Sequence, residues 1–504
     1  MGFTWSMTAP TRSATPRRIR YAILMCPPAG LVLLWLDRNL SLPKKILRSL
    51  FTVFYTPIYA GLVLGILYQF FGLQEEWRGG SLPHFTWSKT LPDYDRLEAS
   101  RRDPTNLPPF TSQAKASVSP YWTEFRGPRR DGHYTEKSIL TNWPPIGPRL
   151  LWRQPCGGGY ASFAIANGLA YTIEQRRKQE AVAAYDAASG REIWVHRYDA
   201  WFQDAQGGDG PRATPTYHEG RLYSVGGLGD LRCFDAADGK LLWKKSLIVD
   251  NESKLLRYGL AGSPLIADDK LIVLAGGPGR YTVAAYHRVT GEPVWKTLHE
   301  QQGYSSPMLV TLTGERQILV LTGSRAVGLK LEDGALLWDY AFLVRDGNTI
   351  AQPVLLSTNR FLVSGGYGAG CACVEIQRTA TGFAARTVWR NQNLKNKFTS
   401  SVLQDGFIYG LDEDLLACVD AATGKRKWKD GRYGYGQLLL ASGHLVILCG
   451  NGDLTLVKAT PDQHRELARV PGIRGKTWNH PAIADGRLFI RNAAEMACFD
   501  IGAK

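Results

Sequence analysis

The sequence lacks several motifs by which catalytic and metal-binding proteins are often recognised. It has eight cysteines, but none stands in a CxxCH motif, and no set of Cys and His residues has the spacing of a zinc site. The stretch "GIRGKT", residues 472–477, lacks the G-x4-GK spacing of a phosphate-binding loop. The sequence therefore predicts no covalent haem, no metal site and no catalytic residue.

A concentrated basic surface is also missing from most of the chain. The net charge is +15, but residues 1–72 alone carry eight Lys or Arg and one Asp. The rest of the positive charge is spread over the much longer remainder, which is typical of a solvated surface rather than of a nucleic-acid groove. We therefore predict no nucleic-acid partner.

Charge is absent altogether from one long apolar run, residues 51–73. At about 1.5 Å per helical residue, this run is long enough to span the roughly 30 Å hydrocarbon layer of a bilayer. An earlier apolar segment, residues 21–36, is shorter and contains a Pro-Pro pair, so it is either a short tilted span or an interfacial arm. We predict that residues 1–73 form a membrane anchor of one or two helices, with residues 51–73 crossing the bilayer.

The charges that flank the long run indicate its orientation. Arg38, Lys44, Lys45 and Arg48 precede it, whereas Glu75, Glu76 and Arg78 follow it. The positive-inside rule places the basic side in the cytoplasm, which predicts an inner-membrane anchor and a periplasmic or extracytoplasmic C-terminal domain. The arginines nearer the N-terminus agree with this orientation only if residues 21–36 do not cross the membrane.

Residues 74–120 are dominated by proline, serine and charged residues and show no sustained periodicity. This composition is typical of a linker or of an extended strap over the surface of a domain. We predict a linker between the anchor and a domain that occupies residues 121–504.

That domain repeats one pattern, of which "CFDAADGKLLW", residues 233–243, is an example. An apolar strand end, an acid, a glycine and a tryptophan recur at intervals of roughly 40 to 50 residues, a period typical of solenoids and propellers. The repeat tryptophans are Trp152, Trp194, Trp243, Trp295, Trp338, Trp389 and Trp428. The repeat glycines are Gly190, Gly239, Gly291, Gly334, Gly382 and Gly424.

The pattern predicts a β-hairpin corner in each repeat. The acid accepts hydrogen bonds from nearby backbone amides, and the glycine supplies the positive φ of a tight turn. The tryptophan on the returning strand is a large, stiff wedge between neighbouring sheets. A second signal upstream of each corner, such as "GSPLIADDKLIVL", predicts two more strands, so each repeat is a four-stranded propeller blade.

The two ends of the domain each contain half of a repeat. The last upstream signal ends at Asp500 with no tryptophan after it, and the first tryptophan, Trp152, has no corner before it. We predict that these halves pair to close the ring, since closure removes an open sheet edge. The predicted fold is all-β: an eight-bladed β-propeller of four-stranded blades, closed by N- and C-terminal strands and preceded by a hydrophobic helical anchor.

The repeat resembles that of the pyrroloquinoline-quinone (PQQ) repeat β-propeller proteins, whose hallmark is AxDxxTGxxxW. That superfamily holds quinoprotein alcohol dehydrogenases and the propeller lipoprotein of the outer-membrane β-barrel assembly machine. The segment "WTEFRGPRRDG", residues 122–132, is similar to the lead-in of bacterial PQQ-like proteins of unassigned function. The resemblance implies the propeller fold rather than one activity, because one fold hosts many functions.

For the quinone enzymes, the resemblance implies adjacent cysteines under the cofactor, a calcium ion held by Glu, Asn and Asp, and a catalytic Asp. This sequence has no Cys-Cys pair, and no acid cluster matches at the strand starts. The repeat therefore predicts a fold motif without a cofactor, and PQQ with calcium remains the alternative.

The residues just before the innermost strands are expected to converge on the mouth of the central channel. There they bind an anionic or sugar-like ligand or a peptide loop, or else they plug the channel. These residues are Tyr160, Arg212, Tyr258, Tyr304, Gln352, Lys397, Tyr435, Trp478, Asn479 and His480.

Together these features predict a non-catalytic, membrane-anchored propeller that serves as a protein-interaction scaffold at the bacterial cell envelope. Two alternatives belong to other classes. One is a PQQ-dependent oxidoreductase, and the other is a protein that binds a ligand or carbohydrate at the channel mouth.

Overall fold

The computed structural model describes residues 16–80, 82–87, 89–102, 121–277 and 281–503. The chain divides into two compact units. One comprises Met1–Glu76 and Pro83–Lys89, and the other comprises Trp77–Leu82 and Thr90–Lys504. Residues 1–15 of the predicted anchor region and residues 103–120 of the predicted linker lie outside the described residues.

The described residues of the first unit form three helices and a two-stranded sheet: α1 (Pro16–Met25), α2 (Pro27–Leu36), α3 (Leu42–Phe71), β1 (Gln74–Glu76) and β2 (His84–Thr86). The apolar segment at residues 21–36 is divided at Cys26, because Pro27 begins a new helix. Gly30 of α2 lies directly against the backbone of Ile23 in α1, where a side chain would not fit.

Helix α3 begins at Leu42, earlier than the predicted span, and it ends where Gly72 adopts the left-handed conformation with φ of 69°. Its apolar side chains are mostly exposed; Phe54 and Phe70 are 74% and 78% exposed. By length and composition it is the one helix in the described part of the chain that could cross a membrane. It is therefore a candidate membrane anchor.

The second unit begins with three short elements: α4 (Tyr94–Arg102), β3 (His133–Tyr134) and β4 (Arg149–Pro155). Helix α4 lies against β4, where Arg101 donates a hydrogen bond to the carbonyl of Pro155 at 3.0 Å. Arg101 also pairs with Glu192 at 3.4 Å, and both side chains are largely buried. Part of the segment predicted as a linker is thus folded onto the propeller.

The rest of the unit is a series of sheets in which consecutive strands pair antiparallel, and the early strands β3 and β4 are added to the last two of these sheets. Blade 1 contains β5 (Ala164–Ala166), β6 (Leu169–Arg176), β7 (Gln179–Asp186) and β8 (Glu192–Asp199). A small hairpin follows, formed by β9 (Gln203–Asp204) and β10 (Gly208–Asp209). Blade 2 contains β11 (Thr216–His218), β12 (Arg221–Val225), β13 (Asp230–Asp235) and β14 (Leu241–Ser246), and it is followed by α5 (Leu247–Asp250).

Blades 3 to 5 repeat this order. Blade 3 contains β15 (Leu265–Ala267), β16 (Lys270–Leu274), β17 (Val283–His287) and β18 (Pro293–Thr297). Blade 4 contains β19 (Met308–Leu312), β20 (Glu315–Leu321), β21 (Arg325–Lys330) and β22 (Leu336–Ala341). After a short 3-10 helix, Arg345–Gly347, blade 5 contains β23 (Val354–Leu355), β24 (Arg360–Gly365), β25 (Gly370–Thr379) and β26 (Gly382–Asn391).

Blades 6 to 8 complete the ring. Blade 6 contains β27 (Val402–Gln404), β28 (Phe407–Asp412), β29 (Leu415–Asp420) and β30 (Arg426–Arg432). Blade 7 contains β31 (Gln437–Ala441), β32 (His444–Leu448), β33 (Asp453–Lys458) and β34 (Glu466–Pro471), with β3 added in parallel to β31. Blade 8 contains β35 (Ala482–Ala484), β36 (Arg487–Arg491), β37 (Glu495–Asp500) and the early strand β4.

The closure of blade 8 confirms the predicted eight-bladed ring. Strand β4 pairs antiparallel with β37, and Trp152 stands opposite Cys498. Arg149 of β4 also pairs with Asp500 of β37 at 2.8 Å. The N-terminal strand therefore covers a sheet edge that would otherwise expose unpaired backbone groups.

Neighbouring blades are joined by a contact between a tryptophan and a corner glycine. Gly239 has φ of +76°, and a Cβ atom there would lie 2.5 Å from the Trp194 ring of the preceding blade. The Trp194 indole donates to the carbonyl of Ala236, beside that corner, at 3.1 Å. The same ring-to-glycine contact joins Trp152 to Gly190, Trp243 to Gly291, Trp295 to Gly334 and Trp389 to Gly424.

Gly382 departs from this pattern. Strands β25 and β26 are ten residues each, so their turn lies beyond the common corner. Gly382 has φ of +142° and no heavy atom within 4 Å of a Cβ position. The tryptophan that would have met it, Trp338, donates instead to Gln317 of its own blade at 2.6 Å.

The substitution Gly239→Ala should lower the free energy of unfolding by about 3 kcal/mol or more, measured by guanidinium denaturation. Positive φ costs alanine about 1–2 kcal/mol, and the collision with Trp194 adds about 1–3 kcal/mol. The control is Gly220→Ala, because Gly220 has φ of +77° but open space around its Cβ position. Equal losses for the two variants would contradict a packing role for the corner glycine.

The lead-in segment, residues 122–132, runs inside the ring across the innermost strands, and we call it the channel plug. Its backbone carbonyls at Trp122, Thr123 and Gly132 accept hydrogen bonds from blades 1, 2 and 7. Arg130 extends the plug to blades 3 and 4 by donating to the carbonyls of Ser263 and Pro307. The plug therefore ties together blades that are distant in sequence.

Candidate functional site

The loops that precede the innermost strands converge at one face of the ring, the channel mouth, and enclose a cavity of about 830 Å³. Most of the residues predicted from the sequence line it. They are Tyr160, Arg212, Tyr258, Tyr304, Lys397, Tyr435, Trp478 and His480.

The other two predicted residues, Gln352 and Asn479, have their side chains engaged in the framework. The Gln352 amide both accepts from and donates to the backbone of Ser306, at 2.6 Å and 3.1 Å. The Asn479 amide donates to the carbonyls of Gly159 and Ala161. Both side chains are buried and join neighbouring blades. Their neighbours Ser306 and His480 line the cavity.

Two segments distant from the blade loops also line the cavity. Phe125 comes from the channel plug, and residues 77–80, which we call the mouth strap, lie at the rim. Gly79 of the strap packs flat on the Tyr435 ring, and its carbonyl accepts a hydrogen bond from Lys397. The sequence pattern did not reveal these contacts, although the plug was recognisable as a lead-in motif.

An aromatic wall forms one side of the cavity. The rings of Tyr160 and Trp478 are stacked, with centroids 5.3 Å apart and planes inclined by 29°. Phe398 lies 4.7 Å from Trp478 and 5.6 Å from Tyr435, so the wall is continuous. Aromatic rings like these offer a ligand a large apolar contact area and have few rotatable bonds.

The partly buried charges of the cavity are paired with one another. Arg212 forms an ion pair with Asp204 and lies over the Phe202 ring at 4.7 Å. Lys397 lies 3.9 Å from Glu413 and 4.6 Å from the Tyr367 ring centroid. Burial lowers the pKa of Lys397, although Glu413 opposes that shift.

Neutral polar side chains also line the cavity. Ser305 Oγ, Gln437 Oε1 and both ring nitrogens of His480 have no hydrogen-bond partner among the described residues. Burial holds the pKa of His480 well below its ordinary value, and the charge of Arg126 lowers it further. The His480 ring is therefore neutral and meets the Phe125 ring edge-on at 5.0 Å.

The donor set around the cavity does not fit a calcium-bound quinone. Asp204 and Glu413, two of the carboxylates at the cavity, are engaged by Arg212 and Lys397. No group of three or more His, Cys, Asp or Glu side chains arranged to hold a metal ion occurs in the described part of the chain. The sequence also lacks a pair of adjacent cysteines.

Comparison with known proteins shows the family to which the chain belongs. Residues 148–430 match the family model described as outer membrane protein assembly factor BamB. The outer membrane protein assembly factor BamB of Moranella endobia (strain PCIT) is 22% identical in an alignment of 306 residues that covers 56% of this chain and 71% of that protein.

Solved structures show the same fold. The crystal structure of BamB from Moraxella catarrhalis is 16% identical with a TM-score of 0.51, over 70% of this chain and 100% of that chain. The quinohemoprotein alcohol dehydrogenase from Comamonas testosteroni is 13% identical with a TM-score of 0.55, over 81% of this chain and 84% of that chain. At these identities, the likeness concerns the fold rather than the activity.

Proposed function

Because the chain belongs to the outer membrane protein assembly factor BamB family, we propose that it is a membrane-anchored scaffold that binds protein partners during assembly at the bacterial envelope. The membership confirms the resemblance seen in the repeats. The scaffold role is supported by a closed propeller whose blades bury their own apolar faces. Such a ring is a rigid platform from which loops are presented.

The observation that carries this proposal is a set of exposed apolar side chains on the loops between blades, which we call the apolar rim. Val249 is 74% exposed, Leu343 is 69% exposed and Leu255 is 40% exposed. Each lies between the outermost strand of one blade and the innermost strand of the next. Contiguous exposed apolar patches mark protein-binding surfaces, and we propose that the apolar rim forms such a patch.

The candidate anchor fits the same role. Helix α3 exposes apolar side chains, and Lys44, Lys45 and Arg48 lie in its first turns. We propose that α3 spans the inner membrane with this basic end in the cytoplasm, and that the propeller lies in the periplasm.

Photo-crosslinking in living cells tests the scaffold role. A benzophenone amino acid at Val249 or Leu343 should give discrete crosslinks to proteins of the outer-membrane assembly machinery, identified by mass spectrometry. The control position is Val289, which is 40% exposed but lies in a hairpin corner between β17 and β18. Equal crosslinking from all three positions, or none from Val249 and Leu343, would contradict the proposal.

A further inference from the structure

We propose that the channel-mouth cavity binds a neutral mono- or disaccharide. This function is separate from the scaffold role, because the cavity and the apolar rim are formed by different residues. The cavity volume of about 830 Å³ lies within the range of small-molecule sites, roughly 300–1,000 Å³.

The cavity is enclosed by parts of the chain that do not belong to the repeat. Phe125 of the channel plug lines it from inside the ring, and Gly79 of the mouth strap packs on Tyr435 at the rim. A channel mouth used only for structural closure would be filled by side chains at this point. Here the plug and the strap contribute to the wall and leave the cavity between them.

The aromatic wall is suited to the apolar face of a sugar ring. Trp478 contacts Tyr160 and Phe398, with ring centroids 5.3 Å and 4.7 Å away, and the Lys476 ammonium lies 4.3 Å from its centroid. Trp478 is nevertheless only half-buried, so part of its ring surface stays open to the cavity that it lines. The axial C–H groups of a pyranose present a flat apolar surface that packs on such a ring. Preorganised aromatic rings lose little side-chain freedom when a ligand binds.

The unpartnered polar groups of the cavity are neutral and match sugar hydroxyls. Ser305, Gln437 and His480 are 2%, 2% and 5% exposed. Together they offer a hydroxyl, an amide oxygen and a neutral imidazole that has one donor and one acceptor nitrogen. A buried polar group without a partner is costly, so a hydroxyl that bonds to it relieves that cost.

The charge distribution favours a neutral ligand over an anionic one. Arg212 is paired with Asp204, and Lys397 lies beside Glu413. Lys476, which lies over the Trp478 ring, donates to the carbonyl of Gln206, so each of these partly buried cations already has a partner. Arg257 and Arg345 also line the cavity, but both are exposed at its rim. An acidic sugar would therefore gain contact only with solvated charges, whose pairing is worth little.

Isothermal titration calorimetry on the full chain, in a detergent without a sugar headgroup, tests this proposal. The probes are D-glucose, N-acetyl-D-glucosamine, maltose and cellobiose, with D-glucuronate as the anionic counterpart of glucose. At least one neutral saccharide should bind saturably, and glucuronate should bind more weakly than glucose. Trp478→Ala should weaken binding about tenfold or more, and Ser305→Ala several-fold.

Trp201→Ala is the matched control, because Trp201 is 46% exposed and does not line the cavity. The affinity of this variant for the saccharide should equal that of the parent chain. If circular dichroism shows that Trp478→Ala does not fold, the saccharide affinity of Ser305→Ala tests the proposal instead. The proposal is overturned if no neutral saccharide of the panel binds, if glucuronate binds as tightly as glucose, or if Ser305→Ala binds like the parent. Crosslinking at Val249 tests the scaffold role separately, so failure of saccharide binding would leave that role untouched.

Discussion

The substitution Arg130→Met is expected to lower the free energy of unfolding by about 3–5 kcal/mol, the range found when one partner of a buried ion pair is removed. The Arg130 side chain is 2% exposed and pairs with Glu124 at 2.6 Å. Its guanidinium also donates to the backbone carbonyls of Ser263, Pro264 and Pro307. Methionine fills a similar volume but leaves the carbonyls of Ser263 and Pro307 without this donor, whereas Pro264 still accepts from the Thr216 hydroxyl.

The neighbouring arginine provides the control for this prediction. Arg129 is 57% exposed and pairs with Asp131 on the surface of the plug. Arg129→Met should therefore cost less than about 1 kcal/mol. Guanidinium unfolding of both full-length variants, followed by tryptophan fluorescence, separates the two cases. If both variants lose less than about 1 kcal/mol of unfolding free energy, the channel plug does not hold the blades together.

The second large effect concerns Glu180, which is fully buried between blades 1 and 2. Its carboxylate accepts hydrogen bonds from the Tyr198 hydroxyl at 2.6 Å and the Gly227 amide at 2.8 Å. Burial nevertheless dominates and raises the pKa of Glu180 from 4.5 to about 7. We expect Glu180→Gln to stabilise the propeller at pH 8 by about 3 kcal/mol, the free energy of that pKa difference.

The direction follows from proton binding. Between pH 4.5 and about 7, the folded state keeps the proton on Glu180 while the unfolded state releases it. The contribution of Glu180 to stability is therefore fully present below pH 4.5 and is lost as the pH rises through its folded pKa of about 7. Glutamine resembles the protonated acid and has no proton to lose, so the variant keeps that stability at pH 8.

Unfolding midpoints of the parent chain and Glu180→Gln should be compared at pH 5 and pH 8. The two proteins should differ little at pH 5, and the variant should be more stable at pH 8. Glu292→Gln serves as the control, because that glutamate side chain is 71% exposed. It should change the free energy of unfolding by no more than about 0.5 kcal/mol at either pH. A destabilised variant at pH 8 would mean that ionised Glu180 is well satisfied.

The blades were predictable because each contains the same turn chemistry. The acid, glycine and tryptophan of the corner recur with little variation, and the half-repeats at Trp152 and Asp500 indicated the closing pair β4 and β37. The pattern failed at Gly382, because β25 and β26 are longer and move the turn away from the common corner. An acid-to-tryptophan spacing locates a hairpin without fixing its length.

The candidate site was only partly predictable, for a different reason. The position before an innermost strand places a residue near the mouth, but not the direction of its side chain. Gln352 and Asn479 are thus near the cavity and bonded to backbone, whereas Ser305 and Gln437 line it. Phe125 and Gly79 come from segments without repeats, and no periodicity connects them to the mouth. The membrane span and the periplasmic location remain predictions.

The strand that completes blade 8 is synthesised before the other three strands of that blade, but it is the last to find its partner. Strand β4 leaves the ribosome before any other strand of the blade, but its partner β37 appears only at Glu495–Asp500. A chain truncated before residue 495 lacks β37, so β36 and β4 each keep an unpaired edge. Unpaired strand edges promote aggregation and are bound by chaperones. Ring closure therefore depends on the last strand of the chain to be synthesised.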